Sequence, residues 1–281
     1  MRGLKLWAAV AAVAVGIGAA MAPAARAQTD IKQQISSASL LEEIKKRGTM
    51  RVGLSTFVPW AMRDTAGELM GFEIDVAKKM AEDMEVKVEF VPTAWDGIIP
   101  ALIAGKFDFI ISGMSITPKR NLTVNFSIPY AHSGQQLVGN KKLAGGFKTI
   151  ADFNKPEVTL TCRRGVTSCA WIQKNMPKAT LRQFDDDAQA SQEVLNGNAH
   201  GWMASAPRPK FLALDNPDVA FMPFAENLTK GDESIAMRKG DPDTLNWVNN
   251  WVLFYTSNGW LEERNAVWFQ NRDWKDKVAK N

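Results

Sequence analysis

Residues 105–130, GKFDFIISGMSITPKRNLTVNFSIPY, contain the pattern that decides the fold. Phe107, Phe109, Ile110 and Ile111 form a short apolar run of aromatic and β-branched residues, which reads as a buried strand. Ser112-Gly113 ends it, and glycine lets the backbone turn sharply or lie close to a ligand. Ser115, Thr117 and Arg120 follow directly. In an open α/β sheet, ligands sit beyond the carboxyl ends of the strands. A hydroxyl, free backbone N–H groups and a guanidinium at that place make a carboxylate clamp, because the Arg fork matches two oxygens at once. A surface loop whose Arg pairs with a nearby acid is the alternative.

The flanking sequence alternates strands and helices. Met50–Leu54 reads as a strand, with Phe57 and Trp60 in the loop after it. A helix follows over Phe72–Met84, with Ile74, Ala77, Met80 and Ala81 inward. Val86, Val88 and Phe90 alternate as a strand, and Trp95-Asp96-Gly97 starts the next helix. Ser39-Leu-Leu-Glu42 has the form of a capping box. A second alternating unit runs from Glu157 to Leu214, Ser234–Arg238 reads as a return strand, and the tail is helical. Trp247, Trp251, Phe254 and Leu261 are expected mainly in the core. This order implies an α/β protein with mostly parallel sheets covered by helices.

SGMSITPKR followed by VNFSIPY, together with GFEIDVAKKMAEDM and PTAWDGIIPALIAGKFD, resembles the amino-acid-binding family of periplasmic solute-binding proteins. The resemblance covers nearly all of the chain after the first forty residues. It implies a two-lobed type II periplasmic binding protein fold with the ligand cleft between the lobes. Lobe 1 is expected over 48–136 and 237–281, lobe 2 over 137–236, and a short N-terminal segment and helix over 28–47. Two crossing strands near 135–140 and 234–239 would act as the hinge. The implied function is that of a monomeric receptor delivering a small amino acid or related carboxylate to the permease of an ABC-type importer, without a cofactor. The resemblance also assigns site residues. Arg120 pairs with the α-carboxylate, Ser115 adds its backbone N–H, and Gly113 offers a carbonyl to the ammonium. Thr167, in Gly165-Val166-Thr167, faces Arg120 from lobe 2 at a helix start that favours anions. Phe57, Trp60 and Trp95 wall the cleft.

Two departures from the family pattern concern the ligand. Ser205, in Met203-Ala204-Ser205-Ala206-Pro207, stands where relatives carry an Asp that answers the ammonium. Arg163, two residues before Gly165, would welcome a second anionic or strongly accepting group; a solvated rim Arg, or a partner for Asp185–Asp187, is the alternative. Leu54 replaces an Asp typical of binders of cationic amino acids. The expected ligand is therefore a small organic acid with at least one carboxylate. Cyclohexadienyl dehydratases resemble these receptors, so a lyase is the competing class. His132 and His200 are the only histidines, and no nucleophile–base pair is evident for either, which favours a non-enzyme.

Residues 1–27 read as a secretory signal, with Arg2 and Lys5 before the apolar run Leu6–Ala20 and a small-residue site at Ala25-Arg26-Ala27. Cleavage after Ala27 would release a periplasmic protein. Loss of the three cations Arg2, Lys5 and Arg26 takes the formal charge from +4 to +1. No basic block remains to engage nucleic acid. Cys162 and Cys169, the only cysteines, would form a disulfide in an oxidising compartment; two buried thiols are the alternative. No further ligands accompany them for zinc.

Overall fold

The computed structural model describes residues 39–279. The expected leader and the segment 28–38 lie outside the described residues. Two five-stranded sheets form the two lobes. The first runs Lys87–Pro92, Thr49–Leu54, Phe109–Ile110, Ala236–Met237, Asn125–Phe126. The second runs Thr180–Phe184, Thr159–Arg163, Gly201–Ser205, Gln135–Asn140, Ala220–Phe221. In each, three parallel strands meet a fourth that pairs antiparallel with both of its neighbours. The lobes thus share an architecture that no sequence repeat announces.

The strand in the opening stretch is short, yet Phe107, Phe109, Ile110 and Ile111 are all fully buried. Each such side chain contributes about 1.5–3 kcal/mol through burial. Asp108 lies buried among them because it accepts the Arg51 backbone N–H at 2.7 Å and pairs with the Arg47 and Arg51 guanidiniums. A buried carboxylate is tolerated when its oxygens are answered in this way. The helix Phe72–Asp83 turns Phe72, Ile74, Val76, Ala77 and Met80 inward. The helix Pro242–Ser257 does the same with Val248, Trp251, Val252 and Tyr255, but Phe254 is exposed. Lobe 2 has its own core around Leu137, Phe153, Leu160, Ile172 and Met203.

Two local expectations need correction. The lobes are joined by Ala131–Ser133 and Gly231–Glu233, which pair antiparallel as a separate two-stranded ribbon. This crossing lies earlier than 135–140 and 234–239. Gln135–Asn140 is wholly inside the second sheet and Ala236–Met237 wholly inside the first, because both are almost continuously buried runs that need a strand on each side. The second correction is at Ser39, whose side chain caps nothing in its own helix. Asp241 instead accepts the Leu40 N–H at 2.7 Å, and the Ser39 hydroxyl meets Thr244, so a tertiary contact displaces the local box.

Candidate functional site

The cleft wall of lobe 1 is built on the ends of parallel strands, where backbone groups leave the ladder. Gly113 has φ +57°, and a Cβ there would lie 2.9 Å from the Phe57 ring, so glycine is required on both counts. Thr117 caps the short helix Pro118–Asn121, accepting from the Arg120 N–H, which leaves its hydroxyl committed to structure. The cap aims the Arg120 side chain back across the loop. Its Nη1 donates to the Ser115 carbonyl at 2.9 Å, and its Nη2 donates to the Gly165 carbonyl of lobe 2 at 3.2 Å. Trp95 stands against the same loop, its ring N–H donating to the Gly165 carbonyl at 3.2 Å. The Arg120 guanidinium lies 5.6 Å from the Trp95 ring centre. Burial and the charge of Arg163 push Arg120 down to about 10.

Phe57 and Trp60 stack at 5.8 Å, but their roles differ. Trp60 is only 2% exposed and packs on Phe72 and Phe269, so most of it is lobe core. Its ring N–H still reaches the Ala206 carbonyl of lobe 2 at 3.2 Å. Phe57 faces the cleft.

Lobe 2 answers with a loop held at both ends. Cys162 and Cys169 are joined as a disulfide, closing the loop that contains Arg163, Gly165 and Thr167. Gly165 takes φ +78°, the left-handed turn that presents its carbonyl to lobe 1. Arg163 is 3% exposed and lies between two rings, its guanidinium 5.1 Å from the Phe57 centre and 4.9 Å from that of Trp95. Such cation–π contacts contribute about 0.5–2 kcal/mol each. Arg163 also donates to the Ser55 hydroxyl at 3.3 Å, and its Nε lies 3.5 Å from Asp187. Thr167 opens the helix Thr167–Asn175, and its hydroxyl accepts from Gln135 Nε2 at 3.2 Å. The same amide nitrogen donates to the Ser205 hydroxyl at 3.3 Å.

Beneath this floor lie two acids. Glu73 accepts from the Tyr130 hydroxyl at 2.7 Å, and burial pushes it up to about 8. Burial and the neighbouring carboxyl push the Tyr130 hydroxyl up as well. Glu233, on the crossing ribbon, accepts from Ser133 at 2.6 Å and from the Ser115 hydroxyl at 3.3 Å, and burial raises it to about 7. The Ser115 hydroxyl is therefore engaged by Glu233, which leaves its backbone as the part that meets Arg120.

Arg120, Ser115, Gly113, Phe57, Trp95, Arg163, Thr167 and Ser205 thus gather at one lobe-to-lobe junction, with Trp60 behind them. Gln135, Arg208, Glu73 and Glu233 escaped the sequence reading, whereas Asp187, the alternative partner expected for Arg163, does stand beside it. Gln135 is a polar residue on a strand that reads as apolar alternation, and the acids answer partners distant in sequence. Two cavities open at the junction. One of about 260 Å³ is lined by Ser115, Gln135, Thr167 and Gly231 among others, and one of about 360 Å³ by Phe57, Asp187 and Arg208 among others. His132 pairs with Asp232 on the exposed face of the ribbon, and His200 accepts the Thr159 N–H, so neither histidine enters the cleft.

The profile of the bacterial extracellular solute-binding proteins, family 3, matches residues 50–271. The L-cystine-binding protein TcyJ of Escherichia coli is 29% identical, covering 82% of this chain and 86% of its own. A putative ABC-transporter binding component from Wolinella succinogenes, solved with lysine, is 40% identical with a TM-score of 0.77, covering 82% of this chain and all of its own. An ancestral amino acid-binding protein described as a precursor of cyclohexadienyl dehydratase is 42% identical with a TM-score of 0.75, covering 83% and 100%. The chain belongs to the family 3 extracellular solute-binding proteins, with the two-lobed fold of its amino-acid-binding members.

Proposed function

We propose that this protein captures an amino acid or a closely related small carboxylate by closing its lobes on it in the periplasm, and presents it to the permease of an ABC-type importer. The observation that carries this reading is Arg120. Among the described residues it has no carboxylate partner; it spends its donors on the carbonyls of Ser115 and Gly165, one from each lobe. A carboxylate is a stronger acceptor than either carbonyl, and a solute that takes this place bonds to both lobes. Such a solute shifts the open–closed balance by its contact with the closed form alone. One supporting relative is named for binding L-cystine and another was solved with lysine, and both solutes carry an α-carboxylate.

The enzymatic reading draws on the ancestral relative's link to a dehydratase. It is disfavoured because the buried acids Glu73 and Glu233 lie under the loop, bonded to Tyr130, Ser133 and Ser115. A general acid has to reach the reacting atoms. The test is ligand-induced stabilisation and calorimetry with amino acids and organic acids, with product analysis alongside. Arg120→Ala is expected to remove the stabilisation and weaken binding about 100-fold or more, with the unliganded protein still folded. Unchanged affinity in that variant would sink the reading.

A further inference from the structure

The cleft contains more positive charge than a single α-carboxylate answers. Arg120 and Arg163 both lie against the Trp95 ring, at 5.6 and 4.9 Å, one from each lobe. Arg208 lies on the helix that follows Ser205, is half-buried, and stacks 5.3 Å from the Trp202 ring centre. Its Nη1 is 3.3 Å from the Asp187 carboxylate that also stands 3.5 Å from Arg163. One buried carboxylate therefore serves two guanidiniums, and Arg120 has none. Asp185 is engaged by Arg164 at the exposed rim, and Asp186 caps its own helix. Beneath the loop, Glu73 and Glu233 are raised by burial to about 8 and about 7 and bond to hydroxyls, so they supply little compensating charge.

We propose that Arg163 is a second anion-recognising group of this cleft, so that the solute carries two anionic groups: an acidic amino acid or a dicarboxylate. This deepens the reading given above and depends on it. Three features support it. Arg163 is nearly out of solvent, and its Nε makes no hydrogen bond, its carboxylate neighbour being 3.5 Å away. A buried guanidinium gains from a closer acceptor. Secondly, the slot between Phe57 and Trp95 is filled by a cation of the protein itself. A lysine- or arginine-like side chain would have to displace that guanidinium and then sit beside it. Thirdly, a cavity lined by Phe57, Arg63, Asp186, Asp187 and Arg208 among others adjoins the Asp187 that stands beside Arg163. Arg208 acts through Asp187 as a positioning residue.

The native protein is titrated calorimetrically with two pairs differing in one charge at constant size, L-glutamate with L-glutamine and succinate with succinamate, and with L-lysine and L-arginine. The diacid of at least one pair is expected to bind tighter than its amide by about tenfold or more, the scale of one charge-assisted hydrogen bond. Arg163→Gln is expected to bring that ratio close to one. Its fold is checked by circular dichroism, and Arg163→Lys, which keeps the charge, should keep part of the preference. If L-glutamine, L-lysine or L-arginine binds as tightly as either diacid, or Arg163→Gln leaves the ratio intact, the inference is overturned. Binding of those amino acids through Arg120 would leave the earlier reading standing. A protein that bound none of the six would lose this inference, while the earlier reading would stand or fall on the wider screen and on Arg120→Ala.

Discussion

The two faces of the cleft are made by similar sheets and yet do different work. The lobe 1 face is rigid and aromatic: Phe57 and Trp95 back onto buried core, and Trp60 belongs to it outright. The lobe 2 face is polar and borrowed from distant places. Its Thr167 and Ser205 hydroxyls are held by one amide of Gln135, and its Arg163 by Asp187. One side therefore supplies shape together with the Arg120 guanidinium, its rings already buried before a solute enters. The other supplies charge and hydrogen bonds, whose geometry depends on a network that a solute can rearrange. Selectivity in such a cleft should follow the polar face, and the strength of closure the aromatic one.

Trp95 tests this division most severely, because it backs both guanidiniums and also bonds to Gly165. Trp95→Ala is expected to weaken solute binding roughly 100-fold, the scale of a central aromatic anchor. Trp95→Phe should recover part of that loss, since it keeps an aromatic face for the guanidiniums but gives up the N–H and some ring area. A calorimetric result in which the alanine variant binds normally would break the comparison.

Ser205→Asp sharpens it from the other side. A carboxylate at that position would answer an ammonium, so free amino acids should gain about tenfold over their deaminated analogues. No change in that ratio, measured by competition, would place the ammonium elsewhere.

The smallest effect concerns the floor. In the folded protein Glu73 keeps its proton up to about 8, whereas its ordinary value is 4.5. The native state thus binds more protons than the unfolded chain across this window, and stability falls as pH rises from about 4.5 to about 8. Glu233, raised to about 7, contributes with the same sign. Glu73→Gln keeps an acceptor for Tyr130 and cannot ionise. Its melting temperature should therefore drop less than that of the native protein between about pH 5 and about pH 8.5. An equal drop would clear Glu73 of the effect.

The fold was legible because its signals are local. Period-two and period-three-to-four apolar patterns, ended by Gly113 or opened by Thr167, place the main strands and helices without knowledge of the rest. The cleft was legible where a residue lies at the end of such an element, as Arg120, Ser115 and Thr167 do. It was not legible where chemistry depends on a partner far along the chain. Nothing around Gln135 says that it will meet both Thr167 and Ser205, and nothing around Glu233 says that it will meet Ser115. The crossing strands were misplaced for a related reason. Ala131–Ser133 and Gly231–Glu233 are short and polar, and only their pairing with each other makes them strands.

The bond between Cys162 and Cys169 holds a length of chain that carries little of lobe 2's core but much of its binding face. Tethering both feet of that segment restricts how far it can wander while the lobes stand apart, so less ordering remains to be done at the instant of capture. Under the proposed function, oxidation of the pair would mature the binding face as much as fasten the fold, and a molecule that folded before its thiols had joined would have the right shape and a slack grip.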